Sequence, residues 1–141
     1  MHKVRRNKVS GHKRILIADD DPRVLLILRA TLERMSNGYE IVAARHGTQA
    51  LEKVEDEPFD LVITDVRMPG LNGIELVEAI RALNVNTAVI WITAYGCHRL
   101  QAECDRLDVY RCLDKPLRIG QIRQAALQAL EARDGSDKTS H

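Results

Sequence analysis

Five short apolar runs, each followed by a stretch of helical spacing, leave this chain few folds to choose from. RILIA (14–18), YEIVAA (39–44), DLVIT (60–64), AVIWI (88–92) and VYRCL (109–113) are rich in β-branched side chains. Runs this short, apolar at successive positions, read as strands buried on both faces, the pattern of a parallel sheet. The segments between them change to helical periodicity. In 22–36, Val24, Leu25, Ile27, Leu28, Leu32 and Met35 form one stripe, with Asp21 as cap and Pro22 at the first helical position. Further helices are predicted over 48–56 after Gly47, over 73–83 with Asn72 as cap, more weakly over 97–107, and over 118–132 with Ile119, Ile122, Ala126 and Leu130 along one side. The order is (βα)5. Right-handed crossovers place helices on both faces of the sheet, and the common doubly wound order for five strands is 2-1-3-4-5. In such α/β folds the working site lies outside the carboxyl ends of the strands.

A chain of 141 residues is the length of one domain. With aromatic residues at 4%, its core must come from Leu, Ile, Val and Ala, and Trp91, inside a strand, is expected to be buried. Residues 1–13 read as a flexible basic leader, 14–133 as the domain, and 134–141 as a loose tail. The net charge of +1 gives no reason to expect direct DNA binding. No apolar run approaches the ~20 residues of a membrane span, and the basic leader lacks the apolar stretch of a secretory signal. Cys97, Cys104 and Cys112 are odd in number and contain no C-x-x-C pair. That pattern argues against a disulfide framework or a zinc ribbon and favours a reduced, cytoplasmic setting.

The chemistry is concentrated where the strands end. The first runs into Asp19-Asp20-Asp21, the third into Asp65, the fourth into Thr93-Ala94 and the fifth into Asp114-Lys115-Pro116. Carboxylates brought that close repel one another, and a hard divalent cation relieves the repulsion. Mg²⁺ prefers oxygen ligands and keeps several waters, so few protein groups suffice. Asp20, Asp65 and the main-chain carbonyl of Arg67 could supply them, with Asp19 holding a bound water or bracing the others. Such a site suits phosphoryl transfer, in which the protein positions the donor and neutralises its oxygens. Asp65 is the expected nucleophile, with Lys115 and the Thr93 hydroxyl each taking a phosphoryl oxygen. Small Ala94 leaves room for the group, and Pro116 could hold the Lys115 loop through a cis bond.

These residues resemble the response-regulator receiver family of two-component signalling. The resemblance covers residues 14 to about 132 and rests on Asp19-Asp20, Asp65 followed by Met68-Pro69-Gly70 and Gly73, Thr93-Ala94, and Lys115-Pro116. It implies a flavodoxin-like fold and Mg²⁺-dependent phosphotransfer from a histidine kinase or a histidine phosphotransfer protein. It also implies a downstream protein target bound through the helix 4–strand 5–helix 5 face. A second copy of the chain could use helix 5 as well, making a homodimer. Such a domain is not an enzyme in the usual sense, since it catalyses only its own phosphorylation and dephosphorylation. The few residues after helix 5 suggest a stand-alone regulator.

One position departs from the family. Receivers usually carry an aromatic residue three positions before the lysine, which turns as the threonine moves toward the phosphate. Here Cys112 stands there, too small to act as that rotor, so the expectation is a muted switch or one read through helix 4 or Tyr95. Arg67 and Tyr95 occupy positions where the family tunes the lifetime of the phosphoryl group. The alternatives are a phosphorylation-independent scaffold and an aspartate-nucleophile phosphohydrolase. The second needs a general acid two residues after the nucleophile, where this chain has Arg67.

Overall fold

The computed structural model describes residues 12–83 and 86–139, with side chains described as far as residue 134. Five parallel strands, β1 (Arg14–Ala18), β2 (Glu40–Ala44), β3 (Leu61–Asp65), β4 (Ala88–Thr93) and β5 (Arg111–Asp114), form one sheet in the order β2-β1-β3-β4-β5. The helices are α1 (Pro22–Met35), α2 (Gly47–Asp56), α3 (Gly73–Leu83), α4 (Gln101–Leu107) and α5 (Ile119–Thr139), with a 3-10 turn (Cys97–Leu100) leading into α4. This is the α/β architecture and strand order that the alternation of periodicities requires.

Strand alternation divides the core. Ile15, Ile17, Ile63, Ile90 and Ile92 face α1 and α5, where they meet Leu28, Leu32, Ile122 and Ala126. Leu16, Ala18 and Val62 face the opposite way, toward Ala50, Leu76 and Ile80. Val89 and Trp91 continue that second face toward Val77 and Leu107. Full burial of each Ile or Leu contributes roughly 1.5–3 kcal/mol, so both faces of the sheet must be covered. All five residues of β3 are buried, as expected for the central strand. Trp91 is fully buried.

Local signals hold where side chains satisfy helix ends. The Asp21 carboxylate accepts from the Arg23 N–H at 2.9 Å at the start of α1. Before α3, Asn72 Oδ1 accepts from the Glu75 N–H at 2.9 Å and Glu75 Oε1 accepts from the Asn72 N–H at 3.0 Å, a reciprocal capping box.

Four sequence expectations need correction. The helix predicted over 97–107 begins as a 3-10 turn, because the Cys97 N–H is drawn to the Asp114 carboxylate at 2.8 Å and Gly96 offers no side-chain cap. The last strand starts at Arg111 rather than 109, because the Val109 N–H closes α4 by donating to the Cys104 carbonyl. The tail assigned to 134–141 is helical as far as Thr139, since α5 continues without a break. Lys13, placed in the leader, belongs to the folded domain. Its carbonyl accepts from the Glu40 N–H at 2.8 Å, and its ammonium pairs with Asp134 at 2.8 Å. The remainder of the leader, residues 1–11, lies outside the described residues.

Candidate functional site

The strand registers decide which side chains meet. Ala18 pairs with Thr64, Asp65 with Ile92, and Thr93 with Asp114. Asp19, Asp65, Thr93 and Lys115 therefore leave four adjacent strands within two residues of the same level, at the carboxyl edge. Asp19 is fully buried and Asp65 is 5% exposed, while Asp20 is exposed. Asp19, Asp20 and Asp65 each present a carboxylate oxygen within 4.8 Å of the others.

Lys115 crosses this acidic cup. Its Nζ lies 2.9 Å from Asp19 Oδ2 and 3.1 Å from Asp65 Oδ2. The Lys115–Pro116 peptide is cis, and the Lys115 N–H donates to the Thr93 carbonyl at 2.8 Å. The Thr93 hydroxyl oxygen, fully buried, accepts from the Tyr95 N–H at 3.0 Å. Asp65 Oδ1 accepts from the Arg67 N–H at 3.2 Å. The Arg67 guanidinium stacks 4.0 Å from the centre of the Tyr95 ring. Gly73 lies directly behind Asp65, where a Cβ would run into the Asp65 main-chain carbonyl.

The electrostatics are unbalanced. Burial pushes the Asp19 carboxyl up from its ordinary value, more than the Lys115 ammonium and the Asp21 N–H bring it down, and the charge of Asp65 adds to the rise. For Lys115, burial works to lower the ammonium, but the close carboxylates of Asp19 and Asp65 outweigh it and hold it above its usual range. At 4.8 Å and an effective dielectric near 20, two buried carboxylates repel by about 3 kcal/mol. A single ammonium cannot neutralise three acids.

The residues fit a hard divalent cation. Every donor is an oxygen, and Asp19 Oδ2 is buried without a hydrogen bond of good geometry. The nearby Lys115 Nζ meets it as a charge. Mg²⁺ matches such a donor set, since few protein ligands need to be supplied.

Two features at this edge went unread in the sequence. Asp114 anchors the β4–α4 connection through Cys97, as described above. The cysteines also depart from expectation, because Cys97 and Cys112 are joined by a disulfide with their Cα atoms 5.7 Å apart, leaving Cys104 free. Counting cysteines could not show that the loop after β4 lies beside β5. Pairing the predicted strands first would have brought the two together.

Comparison with known proteins agrees with this geometry. The family model described as the response regulator receiver domain matches residues 15–127. Sporulation initiation phosphotransferase F of Bacillus subtilis (strain 168) is 34% identical over 84% of this chain and 94% of its own length. Response regulator protein PilR of Pseudomonas aeruginosa is also 34% identical, over 88% of this chain but 27% of its own length. The chain thus spans about a quarter of some curated relatives. Among solved structures, a CheY-like receiver domain protein from Methanospirillum hungatei JF-1 superposes with a TM-score of 0.82 at 27% identity, covering 89% of this chain and 99% of that one.

Proposed function

The chain belongs to the response regulator receiver family, and from that premise we propose that it is a phosphoacceptor that takes a phosphoryl group onto Asp65 from the phosphohistidine of a histidine kinase or histidine phosphotransfer protein. The observation that carries the reading is Asp65 held between the Lys115 ammonium and two further carboxylates at the sheet edge. An Asp65 carboxylate oxygen attacks the phosphorus, the P–N bond to the donor histidine breaks, and an acyl phosphate forms. Lys115 and the Thr93 hydroxyl each hold a phosphoryl oxygen. Asp19, Asp20, Asp65 and the Arg67 main-chain carbonyl would hold Mg²⁺, which when bound neutralises charge on the transferring group. The stacked Arg67 and Tyr95 shield the acyl phosphate from water and lengthen its life.

The output is a change in protein contacts or an onward relay of the phosphoryl group. The similarity to the sporulation phosphotransferase over nearly its whole length supports the relay reading. We assign the downstream contact to the α4–β5–α5 face, where Tyr110 and Ile119 are exposed, and the setting to the cytoplasm. Among the described residues no helix is long and apolar enough to cross a membrane.

The test is incubation with Mg²⁺ and a small phosphodonor, followed by intact mass. A single slowly lost phosphoryl adduct, absent in Asp65→Asn and without Mg²⁺, is expected. Rapid multiple turnover would instead mean a phosphohydrolase, and no adduct a scaffold.

A further inference from the structure

We propose that Cys97 and Cys112 form a reversible redox site that sets how freely the segment between β4 and β5 responds to events at Asp65. This regulatory role rests on the phosphoacceptor reading, whereas the site itself does not.

The placement is the first argument. Cys97 opens the 3-10 turn after β4, and Cys112 is the second residue of β5, in register with Trp91. Their Cα separation of 5.7 Å is within the range a disulfide spans without moving the backbone. Thr93 lies four residues before Cys97 and Lys115 three residues after Cys112, so the bond is flanked by both groups assigned to phosphoryl oxygens. With the bond formed, residues 94–96 run between a strand end and a covalent anchor on the neighbouring strand. Without it, the main-chain link from Cys97 to β5 is its N–H to Asp114 Oδ1.

The second argument is how lightly the bridged segment is otherwise held. The ring closed by the bond spans 15 residues of separation and contains the 3-10 turn, α4 and the entry to β5. Across the turn and α4, Leu107 alone is buried. Arg81 secures the far end by donating to the Leu107 and Asp108 carbonyls. The near end is held by the disulfide, the hydrogen bond from the Cys97 N–H to Asp114 and the partly buried Leu100. An element with so little buried surface is the kind that opens locally, and the crosslink is placed to prevent it.

The chemistry balances with a peroxide as oxidant. One thiolate attacks the O–O bond, giving a sulfenic acid and water; the second displaces water from that sulfur to form the S–S bond. Two thiols and one hydrogen peroxide thus yield one disulfide and two waters. A dithiol reductant returns two electrons and two protons through a mixed disulfide. Both cysteines are half-buried, within reach of small reagents. Cys104 is a poorer participant, since burial, with Asp105 and Glu103 nearby, pushes its thiol up. In a reducing compartment a disulfide at such a place is a transient state, not a permanent fixture.

The experiment uses the full chain, reduced with dithiothreitol or treated with hydrogen peroxide. Alkylation with peptide mapping should label all three cysteines in the reduced protein and Cys104 alone after peroxide. Phosphoryl uptake is measured in both states, followed by amide exchange over 94–118 with and without the phosphodonor. The phosphoryl-dependent change in exchange should be several-fold larger in the reduced protein. Cys97→Ser should behave as reduced whatever the treatment. Labelling of all three cysteines after peroxide, or a bond involving Cys104, would overturn the site. Equal exchange responses in the two states would overturn the switch. Failure of uptake in both states would sink the phosphoacceptor reading and the regulatory role with it, while the thiol count still decides the redox site.

Discussion

Asp19 shows how a single buried charge works against the fold in which it serves. Its carboxyl is held above the ordinary value chiefly by burial, so the native state binds that proton more tightly than the unfolded chain does. The penalty is absent below the unfolded value of 3.8, grows as pH rises toward the raised native value, and is complete above it. At neutral pH without metal, Asp19→Asn, which leaves Lys115 paired with Asp65, is therefore expected to stabilise the protein and raise its melting temperature. The same substitution should cut the rise in melting temperature on adding Mg²⁺. Thermal melts at pH 7.5 and pH 4, with and without the ion, check both, and the ion's effect should shrink at the lower pH as protons compete for Asp19. Gly73 poses a steric version of the problem. Because a Cβ would collide with the Asp65 carbonyl, Gly73→Ala should cost about 1–3 kcal/mol, the range for overpacking. It should also slow phosphoryl uptake by displacing Asp65, seen in denaturant melts alongside adduct formation.

At the scale of elements, α4 stands apart from the other helices. It is a short α-helix joined to a 3-10 turn, and its carboxyl end is closed by Asp108 in the left-handed region at φ 55° and by the Arg81 guanidinium. Arg81 also donates to the Thr87 carbonyl at 2.6 Å, tying α3 and the entry to β4 to the end of α4. Hydrogen bonds from a charged donor contribute about 1.5–3 kcal/mol each when removal leaves partners unsatisfied, but those carbonyls near the surface regain water. Arg81→Ala is therefore expected to destabilise by roughly 2 kcal/mol in total and to speed amide exchange over 101–108 before any global unfolding. Periodicity found this helix, but it could not find the 3-10 start or the arginine clasp. Both depend on residues from α3 and β5 that are remote in sequence.

Across the whole molecule, the two ends of the sheet have different tasks. At the amino end, buried Asp60 accepts from the Arg14 N–H at 2.8 Å and pairs with Arg133 at 3.0 Å, while Lys13 reaches Asp134. These contacts fasten the first strand to the last helix, far along the chain from each other. At the carboxyl end the acids and Lys115 gather, and there the Cys97–Cys112 bond adds the one covalent crosslink among the described residues. Closing a loop of 15 residues removes about 3 kcal/mol worth of freedom from the unfolded chain. Denaturant unfolding of Cys104→Ser, with and without reductant, should show a loss of that order on reduction, with the fold retained.

The sequence by itself determined the five-strand alternation, the bounds of β1 and α3, the caps at Asp21 and Asn72, and the gathering of Asp19, Asp20, Asp65, Thr93 and Lys115 at one edge. Those features follow from local rules, because side-chain period, capping chemistry and right-handed crossover act over short stretches of chain. Only the tertiary structure decided that Lys115 bridges Asp19 and Asp65, that Arg67 lies over Tyr95, and that Cys97 meets Cys112. Each of those outcomes depends on distances between segments brought together by strand register, and a register is a property of two strands that neither one specifies alone.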